Sequence, residues 1–198
     1  MHKLFLITFM ILGTLTSFPA AADNLVTNGG FETGDFSGWT LSGVDSDPSL
    51  IGIFYGVDGV DAYTGNYGAF FGPVGGILTL SQTLATAPDT LYTISFALRQ
   101  DTDPTTGYIN SLAVQFGTTT AFSFTNLPAQ DYTIFTASAL ALSSASLLQF
   151  NFRNDAGYFS LDDVSVTTTI PEPASSLVVT PVLFAACFLF RRYRRLRA

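Results

Sequence analysis

Short segments in which apolar and polar residues alternate constrain the fold of this 198-residue chain more than any other feature. Residues 91–98, 111–116 and 148–153 each follow this pattern, which places successive side chains on opposite faces of a β-strand. From about residue 24 onward, Gly, Pro, Asn and Asp interrupt the chain every ~8–12 residues, as in all-β sandwiches and barrels. We therefore predict antiparallel strands with one solvent-exposed face. The residues predicted to be buried on the other face are Tyr92, Ile94, Phe96, Leu98, Leu112, Val114 and Phe116.

Helical periodicity is absent between residues 23 and 170. The Ala-rich run from Ala137 to Leu148 comes closest, but its Thr and Ser content predicts the end of one strand, a loop and the start of another. Residues 43–76 hold nine glycines around two strand-like fragments, 51–55 and 67–71. We expect long loops with a functional role in this region.

The N-terminus has the pattern of a secretory signal peptide over residues 1–22. A basic start is followed by an apolar stretch from Leu4 to Leu15, and Ala20 and Ala22 provide the small residues that signal peptidase requires. An uncleaved membrane anchor is the alternative, but the apolar run is short and ends in helix-breaking and small residues. We predict cleavage after Ala22 and a single β-domain over residues 23–167.

The C-terminus combines a linker over residues 168–173, an apolar segment over residues 174–190 and a basic tail over residues 191–198. The apolar segment is long enough for a short transmembrane helix, although Pro181 departs from an ideal one. Basic residues favour the cytoplasmic side of the inner membrane, so we expect the tail to stay there. The linker ends in a Pro-Glu-Pro motif, and the basic tail is rich in arginine. The residues of interest are Pro171, Glu172, Pro173, Arg191, Arg192, Arg194 and Arg195.

This ordered triplet of motif, span and arginines resembles the PEP-CTERM sorting signal. The resemblance implies processing by an exosortase, release to the cell surface or extracellular matrix, and a Gram-negative bacterium as the host. A plain tail anchor would explain the span and the arginines, but it would not need the Pro-Glu-Pro sequence.

The predicted exported domain is strongly acidic and lacks two reactive residue types. Between residues 23 and 170 there are fourteen Asp and Glu against Arg99 and Arg153, a net charge of −12, which disfavours nucleic acid and anionic lipid. His2 and Cys187 lie outside the domain, so His- or Cys-based nucleophilic catalysis and common zinc sites are excluded. Acidic pairs for glycoside hydrolysis are possible by composition, but most Asp residues stand in turns, and we predict no enzyme activity.

Two segments resemble the opening and the close of galactose-binding-like jelly rolls, which include carbohydrate-binding modules of families 4, 9 and 22. The opening is Asn24-Leu25-Val26-Thr27-Asn28-Gly29-Gly30-Phe31-Glu32, and the close is residues 158–166, Tyr-Phe-Ser-Leu-Asp-Asp-Val-Ser-Val. Residues 80–84 and 92–96 resemble central strands of such domains. The resemblance implies an all-β jelly-roll sandwich in which the opening and closing segments are neighbours, but it does not identify a ligand.

The resemblance also implies a structural calcium ion near the opening and closing segments, with Glu32 and Asp162 or Asp163 as candidate ligands. Carboxylates brought together repel one another unless a hard cation is shared among them. Strand alternation predicts that Asp162 and Asp163 point to opposite faces, so that only one of them can bind a single ion. The alternative is that both are solvated or accept hydrogen bonds from backbone amides.

Aromatic rings beside Gly and Asp in loops are candidate platforms for sugar rings. Tyr55, Tyr63 and Tyr108 have this setting, whereas Trp39 is expected in the core. Arg99 and Arg153 would either clamp anionic sugars or pair with nearby Asp residues. We expect a non-catalytic protein that binds carbohydrate, such as exopolysaccharide; the alternative is a structural envelope protein without a specific ligand. Clustered loop tyrosines would favour binding, and buried ones would favour the structural role.

Overall fold

A computed structural model of the protein describes residues 22–104 and 107–169. These residues belong to one compact unit, Ala22–Ile170. The predicted signal peptide up to residue 21, the Pro-Glu-Pro motif, the apolar segment and the basic tail lie outside the described residues. Among the described residues, no helix has the length and apolarity needed to cross a membrane.

Two five-stranded antiparallel sheets make up the domain, so the predicted all-β jelly-roll sandwich is confirmed. The strands are β1 Thr40–Gly43, β2 Tyr55–Asp58, β3 Gly68–Phe71, β4 Leu78–Ala85, β5 Thr90–Gln100, β6 Asn110–Phe116, β7 Thr119–Thr125, β8 Gln130–Ala141, β9 Ala145–Asn154 and β10 Phe159–Thr168. The first sheet has the strand order β1-β4-β9-β6-β7 and the second has the order β2-β3-β10-β5-β8. A 3-10 helix of three residues, Pro48–Leu50, is the one helix in the part of the chain that the structure describes.

The core lies between the inner faces of the two sheets and is rich in phenylalanine. Phe71 of the second sheet stacks on Phe152 of the first, with ring centroids 4.1 Å apart, and Phe96 meets the edge of Phe150 at 5.3 Å. All seven residues that the alternation pattern placed inside are buried. The period-2 pattern therefore predicted both the strands and their inner faces correctly.

The opening segment runs beside the closing strand β10, as the resemblance implied. The Leu25 amide donates to the Val166 carbonyl, and the Val164 amide donates to the Gly29 carbonyl. A side chain at Gly29 would collide with the Val164 backbone, so this close approach requires glycine. Trp39 is buried as predicted, and its ring nitrogen donates to the Asn28 carbonyl.

The glycine-rich region differs from the sequence prediction at one point. Residues 51–54 form a turn after the 3-10 helix, and β2 begins only at Tyr55, so the strand predicted over residues 51–55 is wrong. The Asp47 carboxylate caps the 3-10 helix by accepting from the Ser49 amide, and Pro48 occupies its first turn. Local capping thus decides the conformation there. The predicted break within residues 137–148 is confirmed, because β8 ends at Ala141 and β9 begins at Ala145.

Candidate ligand-binding surface on the second sheet

The outer face of the second sheet carries a row of facing residues across four strands. In the strand register, Gly56 of β2 lies opposite Phe70 of β3, Phe70 opposite Ser160 of β10, and Ser160 opposite Arg99 of β5. Gly56 leaves room for the Phe70 ring, because a Cβ there would come within 2.7 Å of it. The row therefore places an aromatic ring, a hydroxyl group and a guanidinium group side by side.

Tyr158 stands beside this row, just before β10 begins. Its ring meets Phe70 edge-on at 5.6 Å, and its hydroxyl donates to the Ile53 carbonyl at 2.8 Å. Gly72 permits this position, because a Cβ at residue 72 would lie 2.5 Å from the Tyr158 ring. The Tyr158 amide donates to the Asp101 carboxylate at 2.7 Å. Tyr158 is thus fixed at both its backbone and its hydroxyl, while 36% of the residue stays exposed.

Arg99 is held by a largely buried carboxylate. The Asp61 Oδ1 atom accepts from Arg99 Nη2 and from the Ser160 hydroxyl, and the Tyr132 hydroxyl donates to the Asp61 carbonyl. Burial raises the pKa of Asp61 above its ordinary value, and the Ser160 hydrogen bond and Arg99 offset part of that rise. The Arg99 guanidinium carbon lies 5.4 Å from the centre of the Tyr132 ring. These contacts fix the guanidinium group in the sheet face.

Two depressions adjoin at Arg99 and Asp101, which line both of them. The first, called here the Tyr158 depression, has a volume of about 280 Å³. The second, the Gln130 depression, has a volume of about 420 Å³. Small-molecule sites span about 300–1,000 Å³, so the Gln130 depression falls within this range and the Tyr158 depression lies just below it. The Tyr158 depression is lined by Gly52, Ile53, Asp58, Val60, Asp61, Phe70, Arg99, Asp101 and Tyr158; the Gln130 depression by Arg99, Gln100, Asp101, Ala129, Gln130 and Asp131.

Two donors at the Gln130 depression have no acceptor among the described residues. They are Arg99 Nε and Gln130 Nε2, and each of these nitrogen atoms is itself buried. A buried donor without a partner costs about 1–3 kcal/mol. Because both atoms are buried, they are not open to a ligand in this depression.

The predicted metal-binding carboxylates meet at one corner of the domain, beside Gly30. A Cβ at Gly30 would lie 3.6 Å from Asp163 Oδ1, 3.7 Å from Asp162 Oδ1 and 3.8 Å from Glu32 Cγ. Asp162 Oδ2 accepts from the amides of Tyr63 and Thr64. The structure thus brings all three predicted residues together at the loop between β2 and β3.

The expectation that Asp162 and Asp163 point to opposite faces is wrong. Asp163 has a left-handed backbone with φ of 49°, inside an irregularity of β10 between Asp162 and Ser165. Thr64 consequently reaches both side chains, with its amide donating to Asp162 and its hydroxyl donating to Asp163 at 2.8 Å. Simple alternation fails wherever a bulge inserts an extra residue.

Backbone amides already donate hydrogen bonds to the carboxylates of Asp162 and Glu32 at this corner. Besides Tyr63 and Thr64, the Asp163 amide donates to Asp162 Oδ1, and Glu32 Oε1 accepts from the amides of Asn66 and Tyr67. These amides lower the pKa of Glu32, whereas burial raises the pKa of Asp162. The described residues include no group of three or more His, Cys, Asp or Glu side chains that could hold one metal ion. Calcium binding stays a prediction.

The three predicted platform tyrosines are not brought together. The prediction of Tyr55 as a surface platform is wrong, because this residue is 1% exposed and packs in the core. Its hydroxyl donates to backbone carbonyls. The Tyr63 ring packs against Tyr132 at 5.1 Å, and Tyr108 stands in the loop before β6 with 54% of its surface exposed. None of the three lines either depression. By sequence Tyr158 is one of the aromatic residues available as a sugar platform, but it is not among the three predicted candidates, and its contact with Phe70, which is distant in the chain, becomes evident only in the structure.

Both arginines of the domain pair with aspartates, as one of the two sequence alternatives proposed. Arg153 Nη2 lies 2.7 Å from Asp155 Oδ2, and Arg99 pairs with Asp61. Around Arg99, the carboxylates of Asp58, Asp61 and Asp101 line the Tyr158 depression. One cation among three carboxylates makes this surface negative overall, which disfavours an anionic sugar.

Comparison with known proteins gives no family model that matches this chain and no match among curated proteins. Solved structures do match over the sandwich. One is the carbohydrate-binding module TmCBM61 in complex with β-1,4-galactotriose, with a TM-score of 0.55, 20% identity, and coverage of 74% of this chain and 99% of that chain. The family 22 xylan-binding domain of Xyn10C from Paenibacillus barcinonensis matches with a TM-score of 0.51, 17% identity, and coverage of 76% and 97%.

A third match is the K1 cleaved adhesin domain of Lys-gingipain from Porphyromonas gingivalis W83. Its TM-score is 0.51, its identity 14%, and the coverage 71% of this chain and 96% of that chain. At these identities the likeness establishes the fold class alone: the domain has the sandwich architecture of carbohydrate-binding modules and of an adhesin domain. The ligand must be argued from the site.

Proposed function

We propose that this chain is an exported, non-catalytic protein that binds carbohydrate on the outer face of its second sheet. One observation carries the proposal: a fixed, half-exposed Tyr158 ring stands beside Arg99 and Asp101 in a surface depression. Sugar rings stack on aromatic side chains, while their hydroxyl groups donate to carboxylates and accept from guanidinium groups. The likeness to carbohydrate-binding modules agrees with this proposal at the level of the fold.

Binding without catalysis is favoured by the state of the acidic groups. Asp58 Oδ1 accepts from the amides of Val60 and Asp61, and Asp101 Oδ1 accepts from the Tyr158 amide. A glycosidase needs one protonated and one ionised carboxyl group on either side of the scissile bond. Here Asp61, the acid of raised pKa, is already paired with Arg99 and Ser160.

A panel of immobilised glycans tests binding, and an assay for new reducing ends in the same samples tests catalysis. We expect a discrete set of bound glycans and no release of sugar. Release of reducing ends would refute the non-catalytic proposal. A complete absence of bound glycans would instead favour the structural envelope role.

Export belongs to the same proposal and depends on the sequence. Signal peptidase would remove residues 1–22, and an exosortase would recognise Pro171-Glu172-Pro173 while residues 174–190 hold the chain in the inner membrane. The mature protein would then reach the cell surface or the extracellular matrix. Replacing the three motif residues with alanine should leave the protein unprocessed in the membrane fraction, and unchanged release would refute exosortase sorting.

A further inference from the structure

The Tyr158 depression combines aliphatic walls with hydrogen-bonding groups of both kinds. Ile53 and Val60 line it and are 53% and 79% exposed, so both present apolar surface to a ligand in the depression. Simple hexoses present hydroxyl groups and small apolar faces, which aromatic rings serve well. Exposed aliphatic side chains instead suit a ligand that carries a methyl group.

We infer that this depression binds the acetamido group of an N-acetylated hexosamine, an inference that deepens the proposed carbohydrate binding and depends on it. An acetamido group has three parts: a methyl group, an N–H donor and a carbonyl acceptor. The depression supplies a counterpart for each part. Ile53, Val60 and Tyr158 surround the methyl group, the carboxylates of Asp58 and Asp101 accept from the N–H, and Arg99 donates to the carbonyl.

Charge argues against a uronate, and the aliphatic walls argue against a plain hexose. A uronate would bring a fourth carboxylate to a depression that already holds Asp58, Asp61 and Asp101 beside one arginine. A plain hexose would leave the aliphatic walls in water. The acetamido group is neutral and apolar at its tip, so it avoids both costs.

The neighbouring Gln130 depression accommodates the next part of the glycan. It shares Arg99 and Asp101 with the Tyr158 depression, and its other polar lining residues are Gln100, Gln130 and Asp131. Two adjoining depressions suit an oligomer better than a monosaccharide. We therefore expect affinity to rise from the single sugar to the oligomer.

The test uses the purified chain in a detergent without a sugar headgroup, and calorimetry at physiological salt. The probes are oligomers of equal length made of N-acetylglucosamine, N-acetylgalactosamine, glucose, galactose, galacturonate and de-N-acetylated glucosamine. We expect at least one acetylated oligomer to bind at least tenfold more tightly than its hydroxyl and amine counterparts. Equal or tighter binding of a non-acetylated oligomer would overturn the inference but leave carbohydrate binding in place, whereas binding of none would refute both.

A pair of valine variants assigns the preference to the depression. Val60→Ser shortens an aliphatic wall at a residue exposed enough to tolerate the change, and Val74→Ser makes the same change at a 52% exposed position outside the depression. We expect Val60→Ser to weaken binding of the acetylated oligomer three- to tenfold, from roughly 0.8 kcal/mol per buried methyl group. Val74→Ser should leave binding unchanged. Equal affinities for the two variants, with both folded by melting temperature, would overturn the inference.

Discussion

Asp162 anchors the loop between β2 and β3 to the closing strand, and its replacement by alanine should destabilise the domain strongly. The residue is fully buried, and its carboxylate accepts from the amides of Tyr63 at 2.7 Å, Thr64 at 3.0 Å and Asp163 at 2.7 Å. A hydrogen bond to a charged acceptor contributes about 1.5–3 kcal/mol. Burial of the carboxylate, which raises its pKa, offsets part of this sum. We expect a loss of about 3–5 kcal/mol in the free energy of unfolding.

Urea denaturation measures this loss, and hydrogen exchange locates it. The samples should contain a chelator, so that the loss of amide acceptors is separated from any loss of calcium. We expect the amides of Tyr63 and Thr64 to exchange faster in Asp162→Ala than in the parent chain, because both lose the carboxylate that accepts their hydrogen bonds.

Asp163→Asn is the matched control for this prediction. Asparagine adopts the left-handed conformation of residue 163 as readily as aspartate does, and it keeps an oxygen for the Thr64 hydroxyl. We expect this variant to lose less than about 1 kcal/mol. An Asp162→Ala loss as small as that of the control, with unchanged exchange at Tyr63 and Thr64, would refute the anchoring role.

Three further predictions concern the core, the pH dependence and the metal. Phe152→Ala should cost about 3–5 kcal/mol in urea denaturation, because Phe152 is fully buried and stacks on Phe71; a cost below about 1 kcal/mol would contradict this packing. Arg153 lowers the pKa of Asp155 to about 2, so Asp155 stabilises the fold above its ordinary pKa and loses that effect as the pH falls through about 2. Asp155→Asn should therefore be less stable at neutral pH, with the gap closing between about pH 4 and pH 2; a gap constant over that range would be inconsistent with the shift. Calcium binding predicts a melting temperature that is higher in millimolar calcium than in chelator, and Glu32→Gln should remove the difference; equal melting temperatures of the parent chain would exclude a structural calcium.

The fold could be predicted from the sequence because its main signals are local. The alternation in residues 91–98 and 111–116 identified β5 and β6 and their buried faces, and the opening and closing motifs predicted that residues 24–32 adjoin β10. The strand predicted at residues 51–55 failed because Asp47 caps a 3-10 helix just before it, a local competition that periodicity does not register.

The candidate site could be predicted only in part, because it depends on strand register. Phe70, Ser160 and Arg99 become neighbours through pairing between strands that are far apart in the chain, and no local pattern encodes that row. Tyr55 lies within the glycine-rich region of residues 43–76, as a loop platform would, yet it begins β2 with its ring toward the core. The residues next to a tyrosine in the sequence therefore do not show whether its ring points to solvent or to the core.

Carbohydrate binding beside Tyr158 is tested most directly by comparing Tyr158→Ala with Tyr108→Ala on a glycan that the parent chain binds. Both tyrosines are exposed, at 36% and 54%, but Tyr158 alone of the two lines the depression. Titration calorimetry on both variants, each shown to be folded by its melting temperature, measures the effect. We expect Tyr158→Ala to lose binding by at least tenfold while Tyr108→Ala keeps the affinity of the parent chain. Unchanged affinity in Tyr158→Ala, or a loss confined to Tyr108→Ala, would contradict the assignment of the site.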